Sequence, residues 1–69
     1  MNNGMNVKIA RIKKGLSQRD LAKLCGVCQN TIVKIEKGEI DTMLVQNLKK
    51  VAEVLEVDFV KLFFSNDEQ

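Results

Sequence analysis

Apolar residues recur along the chain at three- and four-residue spacing, and glycines or short polar stretches divide them into five groups. This spacing places apolar side chains on one face of a helix, so the pattern predicts five amphipathic helices. The first helix is expected from about residue 4 or 5 to Lys14, and Gly15 is expected to end it in the left-handed conformation. We therefore expect an all-α protein, a compact five-helix bundle.

The second and third groups are the most informative part of the sequence, because they predict two short helices joined by a tight turn at Gly26 and Val27. Ser17 is a suitable cap for helix two, and Asp20 occupies the capping-box position three residues later. Helix three is expected at about residues 29–37. This arrangement is a helix-turn-helix, whose second helix can enter the major groove of DNA. The side chains expected to face the core are Leu21, Ala22, Cys25, Ile32 and Ile35.

Helices four and five are predicted to follow a short loop after Gly38. Thr42 is the expected cap of helix four, and Asp58 is the expected cap of helix five. Residues 65–69 form a polar tail after the last helix. The side chains expected to face inward are Leu44, Leu48, Val51, Ala52 and Leu55 in helix four and Phe59, Leu62 and Phe63 in helix five.

Size and composition restrict the possible functions. Residues 1–69 are expected to form one domain whose core lies within residues 4–64. No apolar run approaches the roughly 18 residues of a membrane span, so we expect a cytoplasmic protein with no membrane partner. The chain has no histidine, no glycine-rich phosphate loop and no nucleophile beside a plausible base. We therefore expect no enzymatic activity, no cofactor and no small-molecule ligand.

Charge is unevenly distributed along the chain. The net charge of the whole chain is +2, but residues 1–38 carry eight cations and two acids, a net +6, while residues 39–69 carry three cations and seven acids, a net −4. A basic half of this kind favours a polyanionic partner such as DNA, although an unevenly charged solvated surface would show the same pattern.

The residues of the central segment, taken with their spacing, form the pattern Leu16-Ser17-Gln18, Leu21-Ala22, Gly26-Val27, Thr31-Ile32, Ile35-Glu36 and Gly38. This pattern resembles the Cro and phage-repressor type of helix-turn-helix, the xenobiotic-response-element family. The resemblance extends over about residues 4–64. It implies a five-helix domain that binds operator DNA, and it implies a homodimer on a palindromic site.

The resemblance also implies roles for individual side chains on and around helix three. Amide side chains at the start of that helix can pair with adenine in the major groove, and an apolar side chain can contact a thymine methyl group. Arg11 and Glu36 match a pair that links helices one and three in relatives. The implied base-reading residues are Gln29, Asn30, Val33 and Lys34, and the implied phosphate contacts are Gln18, Arg19, Thr31 and Lys37.

Several of these positions also have a purely structural interpretation. The polar residues of helix three could be a solvated face, and Thr31 could serve only to cap the helix end. Cys28 stands where relatives carry a Ser or Thr cap, and a thiol is a weaker acceptor. The Cys25-x-x-Cys28 spacing could indicate a metal or redox site, but two cysteines without histidine fall short of four zinc ligands. We favour a core role for Cys25 and expect no metal.

Two apolar residues of helix five lie outside its core stripe. Val60 and Phe64 are four residues apart and are expected to form an exposed patch. We favour a dimer contact there, against a satellite of the core or a frayed last turn.

The sequence therefore predicts a sequence-specific, DNA-binding transcriptional regulator, a repressor that binds double-stranded DNA through the major groove. The alternative is a protein-interaction module of the antitoxin or anti-repressor type that uses the same fold. The basic N-terminal half favours DNA, whereas the short acidic tail gives slight support to the alternative.

Overall fold

A computed structural model describes residues 4–64, which form five helices and no strand. Residues 65–69, the polar tail of the sequence analysis, lie outside the described residues. Within residues 4–64, even the longest helix is too short to cross a bilayer. The helices are α1 (Gly4–Lys13), α2 (Gln18–Cys25), α3 (Gln29–Glu36), α4 (Val45–Leu55) and α5 (Phe59–Phe64).

Helix α2 begins and ends at the predicted residues, and α3 begins at the predicted Gln29 but ends at Glu36, one residue early. Ser17 Oγ accepts a hydrogen bond from the Asp20 amide at 2.9 Å, and the Asp20 carboxylate accepts one from the Ser17 amide at 3.1 Å. This capping box satisfies two amides that the first turn of α2 leaves without helical partners. Gly26 then ends α2 in the left-handed region, at φ 72°, where a residue with a Cβ would be strained.

The remaining helix starts differ from one another. The Asp58 carboxylate accepts a hydrogen bond from the Lys61 amide at 3.1 Å, as expected of the α5 cap. Cys28 occupies the cap position of α3, but its side chain makes no capping hydrogen bond. Helix α3 is therefore less firmly capped than α2.

The prediction that Thr42 caps helix four is wrong, and so is the inward position of Leu44. Thr42 lies in a turn, α4 begins at Val45, and Leu44 is its cap residue with 61% of its surface exposed. The reason lies in the preceding loop, where Ile40 and Met43 pack against the core and the Met43 amide bonds to the Ile40 carbonyl at 3.1 Å. Because the loop buries these two side chains, the chain enters the helix two residues later and Leu44 faces outward.

The helices enclose one hydrophobic core. Helix α2 packs against α3 and α4, while α1 packs against α3 and α5, and α5 also packs against α4. Phe59, which was expected to face inward, is half-buried at the edge of the core, where the Phe63 ring lies 5.6 Å away between centroids. The buried core residues are Val7, Leu21, Ala22, Cys25, Ile32, Ile35, Leu48, Val51, Ala52, Leu55, Leu62 and Phe63.

Two tertiary contacts of α1 have no counterpart in the sequence pattern. Gly4 lies so close to the end of α3 that a Cβ placed on it would come within 2.3 Å of the Glu36 carbonyl oxygen. At the other end, Lys14 Nζ lies 2.8 Å from the carboxylate of Glu56, which follows α4 in the left-handed conformation at φ 59°. These contacts join α1 to the ends of both α3 and α4.

Candidate nucleic-acid interface

Helix α3 presents a polar face to solvent over its whole length. Its apolar side, Ile32 and Ile35, is fully buried against the core. The opposite side exposes the polar residues that the sequence singles out: Gln29, Asn30, Lys34 and Lys37. Amides at one end of the helix and cations at the other give this face the hydrogen-bonding groups that base edges and phosphates require.

Two of the implied contact residues of α3 are only half-exposed. Val33 and Thr31 are both partly buried. The Thr31 amide donates a hydrogen bond to the Cys28 carbonyl at 3.0 Å, as the start of the helix requires. Helical spacing places Val33 on the exposed side, four residues from both Gln29 and Lys37, whereas Thr31 lies four residues before the buried Ile35.

The start of α2 contributes two further polar side chains. Arg19 is exposed, whereas Gln18 is half-buried. Gln18 Nε2 donates a hydrogen bond to Glu36 Oε1 at 3.1 Å, so its side chain is held toward the end of α3. Sequence reasoning assigned Gln18 to phosphate alone and missed this contact, which depends on the crossing of α2 and α3.

Glu36 is the centre of a polar network that joins three helices. Arg11 Nε donates to Glu36 Oε2 at 2.6 Å and Arg11 Nη2 donates to Oε1 at 3.3 Å. Arg11 Nη1 also donates to the Leu16 carbonyl at 2.8 Å, in the connection between α1 and α2. We call Arg11, Gln18, Glu36 and the Leu16 carbonyl the Glu36 network.

The Glu36 network is nearly enclosed by the protein. The Arg11 and Glu36 side chains are 11% and 6% exposed, respectively. Removing one member of such a pair leaves an uncompensated charge and typically costs about 3–5 kcal/mol. Because its members come from α1, α2 and α3, the network fixes the angle at which α3 presents its polar face.

The acidic residue nearest the start of α2 is held in its charged form. Hydrogen bonds from the Ser17 backbone, and then from the Ser17 side chain, lower the pKa of the Asp20 carboxyl, with smaller contributions from Lys23 and Arg19. A charged Asp20 at a helix N-terminus complements the helix dipole. This carboxylate therefore serves the fold of the motif.

The two cysteines occupy different environments, and both are free thiols. Cys25 is buried in the core, and burial raises the pKa of its thiol, so the neutral form is favoured. Cys28 is exposed at the start of α3. Among residues 4–64, no three potential ligands of the His, Cys, Asp and Glu types lie together as a metal site would require.

The predicted patch on α5 lies outside the helix-turn-helix. Val60 and Phe64 are each 58% exposed. The Phe64 ring meets the edge of Phe59, with 5.5 Å between centroids, and Lys49 Nζ lies 5.9 Å above the Phe59 ring. The aromatic cluster therefore extends from the edge of the core to the surface of α5.

Residues 7–62 match the family model described as a helix-turn-helix, HTH_3. The chain belongs to the HTH_3 family. The matched segment contains all of α2, α3 and α4 and most of α1 and α5. The proposed resemblance to Cro-type regulators is thereby confirmed.

Curated relatives include transcriptional regulators. The chain is 40% identical over 60 residues to the HTH-type regulator SlrR of Bacillus subtilis, covering 87% of this chain and 40% of SlrR. It is 36% identical over 63 residues to an HTH-type regulator of Methanocaldococcus jannaschii, covering 91% of this chain and 94% of that protein. A 57-residue match, 35% identical, covers 83% of this chain but only 5% of a glutamine–fructose-6-phosphate aminotransferase from the same archaeon.

Solved structures show the same fold. A chain of the SinR–SinI protein complex superposes with a TM-score of 0.83 at 32% identity, covering 99% of this chain and 65% of that one. The restriction-modification controller protein C.AhdI from Aeromonas hydrophila superposes with a TM-score of 0.79 at 31% identity, covering 90% of this chain and 92% of that one. The chain is thus an all-α helix-turn-helix domain of a family that includes transcriptional regulators, and it spans less than half the length of SlrR.

Proposed function

We propose that this protein is a repressor that binds a palindromic operator as a homodimer, with α3 in the major groove. The observation that carries the proposal is the exposed polar face of α3, held at a fixed angle by the nearly enclosed Glu36 network. A helix preorganised in this way loses little backbone freedom when it meets the base edges. Occupying the operator would exclude polymerase from an overlapping promoter.

Base readout is assigned to the first turns of α3. Gln29 and Asn30 are exposed amides, which can pair with adenine N6 and N7. Lys34 lies one turn further along and can reach guanine or phosphate. Val33, partly buried and four residues after Gln29, offers an apolar surface to a thymine methyl group.

Phosphate contacts are assigned to the groups that surround this face. Arg19 and Lys37 are exposed cations at the start of α2 and the end of α3, respectively. Gln18 reaches phosphate only with the part of its amide that Glu36 does not engage, and Thr31 contributes only if the backbone passes its side of the helix. We therefore expect Arg19 and Lys37 to contribute most of the electrostatic affinity.

The contact with the second subunit is assigned to α5. Val60 and Phe64 lie on a helix that packs against α1 and α4 and makes little contact with α3. Pairing two copies through α5 would leave both α3 faces available to DNA. A dimer of this kind would recognise two half-sites of opposite orientation.

The first experiment is selection of binding sites from a random duplex pool at about 0.15 M salt, a concentration that suppresses purely electrostatic binding. We expect an enriched palindrome whose half-site centres lie about one helical turn apart. The matched control is the Gln29→Ala/Asn30→Ala variant, which leaves the core and the Glu36 network intact and is expected to enrich no single sequence.

Three outcomes would contradict the proposal. Failure of folded wild-type protein to enrich any sequence would exclude a sequence-specific operator binder. Enrichment of a single, non-repeated half-site by protein that sediments as a monomer would exclude the dimer on a palindrome. An unchanged consensus for the double-alanine variant would remove α3 from the groove.

A further inference from the structure

Helix α1 exposes an apolar stripe that the five-helix core does not use. Met5, Ile9 and Ile12 are 50%, 45% and 57% exposed, respectively. Their spacing of i, i+4 and i+7 places them on one line along the helix. The opposite side of α1 is the one that buries Val7 and turns Arg11 toward Glu36. We call Met5, Ile9 and Ile12 the α1 stripe.

A groove between α1 and α5 continues this apolar surface. It has a volume of about 320 Å³, and Ile9 of the α1 stripe forms part of its wall. Ala10 lies beside Ile9, and Val57 and Leu62 form the apolar part of the opposite side. A ridge of side chains from another helix could therefore lie along the α1 stripe and insert into this groove.

Cations surround the α1 stripe and the groove. Lys8 and Lys13 lie on the two sides of the stripe, and Lys13 also lines the groove opposite Lys61. Within residues 4–64, ion pairs engage Arg11, Lys14 and Lys50 but none of these three lysines. The helix itself, Gly4–Lys13, contains no acidic residue. The charged residues that line the groove are therefore both cations, Lys13 and Lys61, while Glu56, next to Val57, is paired with Lys14.

From this arrangement we propose that the α1 stripe and the α1–α5 groove dock an amphipathic helix of another protein, with acidic residues beside its apolar ridge. Glutamates or aspartates on such a helix would meet Lys8, Lys13 and Lys61, while its ridge covers Ile9 and Ile12. This is helix-in-groove recognition with complementary charge at the rim.

Two occupants from within the protein itself fit this surface poorly. A second copy packing through the same stripe would set Lys8 and Lys13 against their own counterparts, and like charges at an interface cost several kcal/mol. Residues 65–69 carry Asp67 and Glu68 but no apolar side chain that could cover Ile9 or Ile12. A separate acidic helix satisfies both the apolar and the charged part of the site.

The docking surface is distinct from both surfaces assigned above. The residues that line the groove belong to α1, α5 and the segment between α4 and α5, and none belongs to the exposed face of α3. On α5 the groove uses Lys61 and Leu62, whereas the proposed dimer patch uses Val60 and Phe64. The protein could therefore hold DNA, a second copy and an acidic helix at the same time.

The test uses a synthetic, fluorescein-labelled helical peptide with leucines at i, i+3, i+4 and i+7 and glutamates on both sides. Fluorescence anisotropy measures its affinity, and amide chemical-shift changes in ¹⁵N-labelled protein locate it. The control peptide keeps the leucines and replaces each glutamate with lysine. The protein variant is Ile9→Ser/Ile12→Ser, and its matched control is Leu24→Ser, since Leu24 is 55% exposed elsewhere on the surface.

We expect the acidic peptide to shift amides of α1 and of residues 57–62, and the double variant to weaken its affinity by about tenfold or more. Leu24→Ser should not change the affinity for the acidic peptide, and the double variant should not change the affinity for the lysine peptide. Both protein variants should retain wild-type DNA affinity, so failure of the operator selection would leave this result unaffected.

The opposite results would overturn the proposal. Shifts confined to α3 would show that the acidic peptide only mimics DNA, and equal binding of the lysine peptide would exclude charge recognition. Binding to phosphatidylglycerol vesicles that requires Ile9 and Ile12, without binding of the peptide, would identify a lipid surface instead. A change of sedimentation state in Ile9→Ser/Ile12→Ser alone would assign the stripe to a second copy.

Discussion

The helix-turn-helix and the C-terminal region of this small domain differ in how far their side chains find partners within the protein. In the helix-turn-helix, α2 has a full capping box, Glu36 accepts three hydrogen bonds from Arg11 and Gln18, and the residues exposed on α3 are largely polar. In the C-terminal region, α4–α5, the cap residue of α4 is an exposed leucine, and Val45, Val60 and Phe64 are all more than half exposed. The comparison shows that one region is built to face a charged, hydrated partner, whereas the other leaves apolar area that a protein surface can cover.

The largest expected effect tests whether the Glu36 network supports the helix-turn-helix. Glu36→Ala should lower the free energy of unfolding by about 3 kcal/mol, because it leaves the Arg11 guanidinium nearly enclosed without its carboxylate. Urea denaturation followed by circular dichroism measures this loss. Glu53→Ala is the control, since its carboxylate is exposed and lies 3.7 Å from Lys50. An equal, small change in both variants would show that the network adds little to the fold.

The next effect tests whether the exposed apolar residues of α5 contact a second copy of the protein. Val60→Ser/Phe64→Ser should weaken self-association about 30-fold, roughly 2 kcal/mol, because it removes apolar area that the dimer would bury. Sedimentation equilibrium over a range of concentrations measures the change. Leu24→Ser removes an equally exposed side chain from α2 and should leave association unchanged. If the Leu24 variant dissociated and the α5 variant did not, the dimer would use the other end of the molecule.

A third pair of variants separates the roles of side chains within the α3 face. Gln29→Ala should lose about tenfold in affinity at the base pairs it contacts and relax the preference there, because a paired amide discriminates between bases. Lys37→Ala should weaken binding to all sequences alike and reduce the dependence on salt by about one ion. Titrations of the selected operator and of single-base variants at several salt concentrations measure both effects. Indistinguishable profiles would contradict the division into base-reading and phosphate contacts.

The cap positions offer a smaller comparison within the helix-turn-helix itself. Ser17→Ala should lower the stability by about 1 kcal/mol, since the hydroxyl of this residue satisfies an amide of the first turn. Cys28→Ser should instead raise the stability by about 0.5 kcal/mol, because serine can accept the hydrogen bond that the thiol does not make. Thermal unfolding monitored by circular dichroism compares the two. A loss of stability in Cys28→Ser would show that the thiol contributes packing instead.

The smallest expected effect is a pH dependence at the capping box. The folded-state pKa of Asp20 lies below its ordinary value of 3.8, so the unfolded chain binds a proton more readily. The stabilisation is therefore fully present above about pH 4 and is lost as the pH falls through the lowered pKa. Unfolding midpoints of wild type and Asp20→Asn between neutral pH and about pH 3 test this sign, since the difference between them should shrink on acidification. A difference that grows toward low pH would refute it.

Glycines and hydroxyl or carboxylate caps made the helix ends predictable. Gly15 and Gly26 both adopt the left-handed conformation that the pattern requires after α1 and α2. The start of α4 could not be predicted in the same way, because Thr42 is also one of the favoured cap residues. What moved the start to Val45 was the burial of Ile40 and Met43, which depends on where the rest of the core lies.

The candidate site could likewise be predicted only where local helical spacing decides the result. The exposed polar residues of α3 follow from helical spacing, because the buried Ile32 and Ile35 fix the opposite face. That Gln18 binds Glu36 does not follow, since their contact is set by the angle between α2 and α3. The exposed α1 stripe is periodic in the sequence, but only the structure shows that Val7 and Arg11 already supply the inward side of that helix.

The sequence by itself determined the number of helices, the capped starts of α2 and α5 and the polar face of α3. These features depend on residues within one or two turns of each other, where backbone geometry and side-chain spacing decide the result. Only the tertiary structure decided the close approach of Gly4 to the end of α3, the enclosure of Glu36 and the groove between α1 and α5. Each of these arises between residues far apart in the chain, because the packing of the whole core sets the distances between helices.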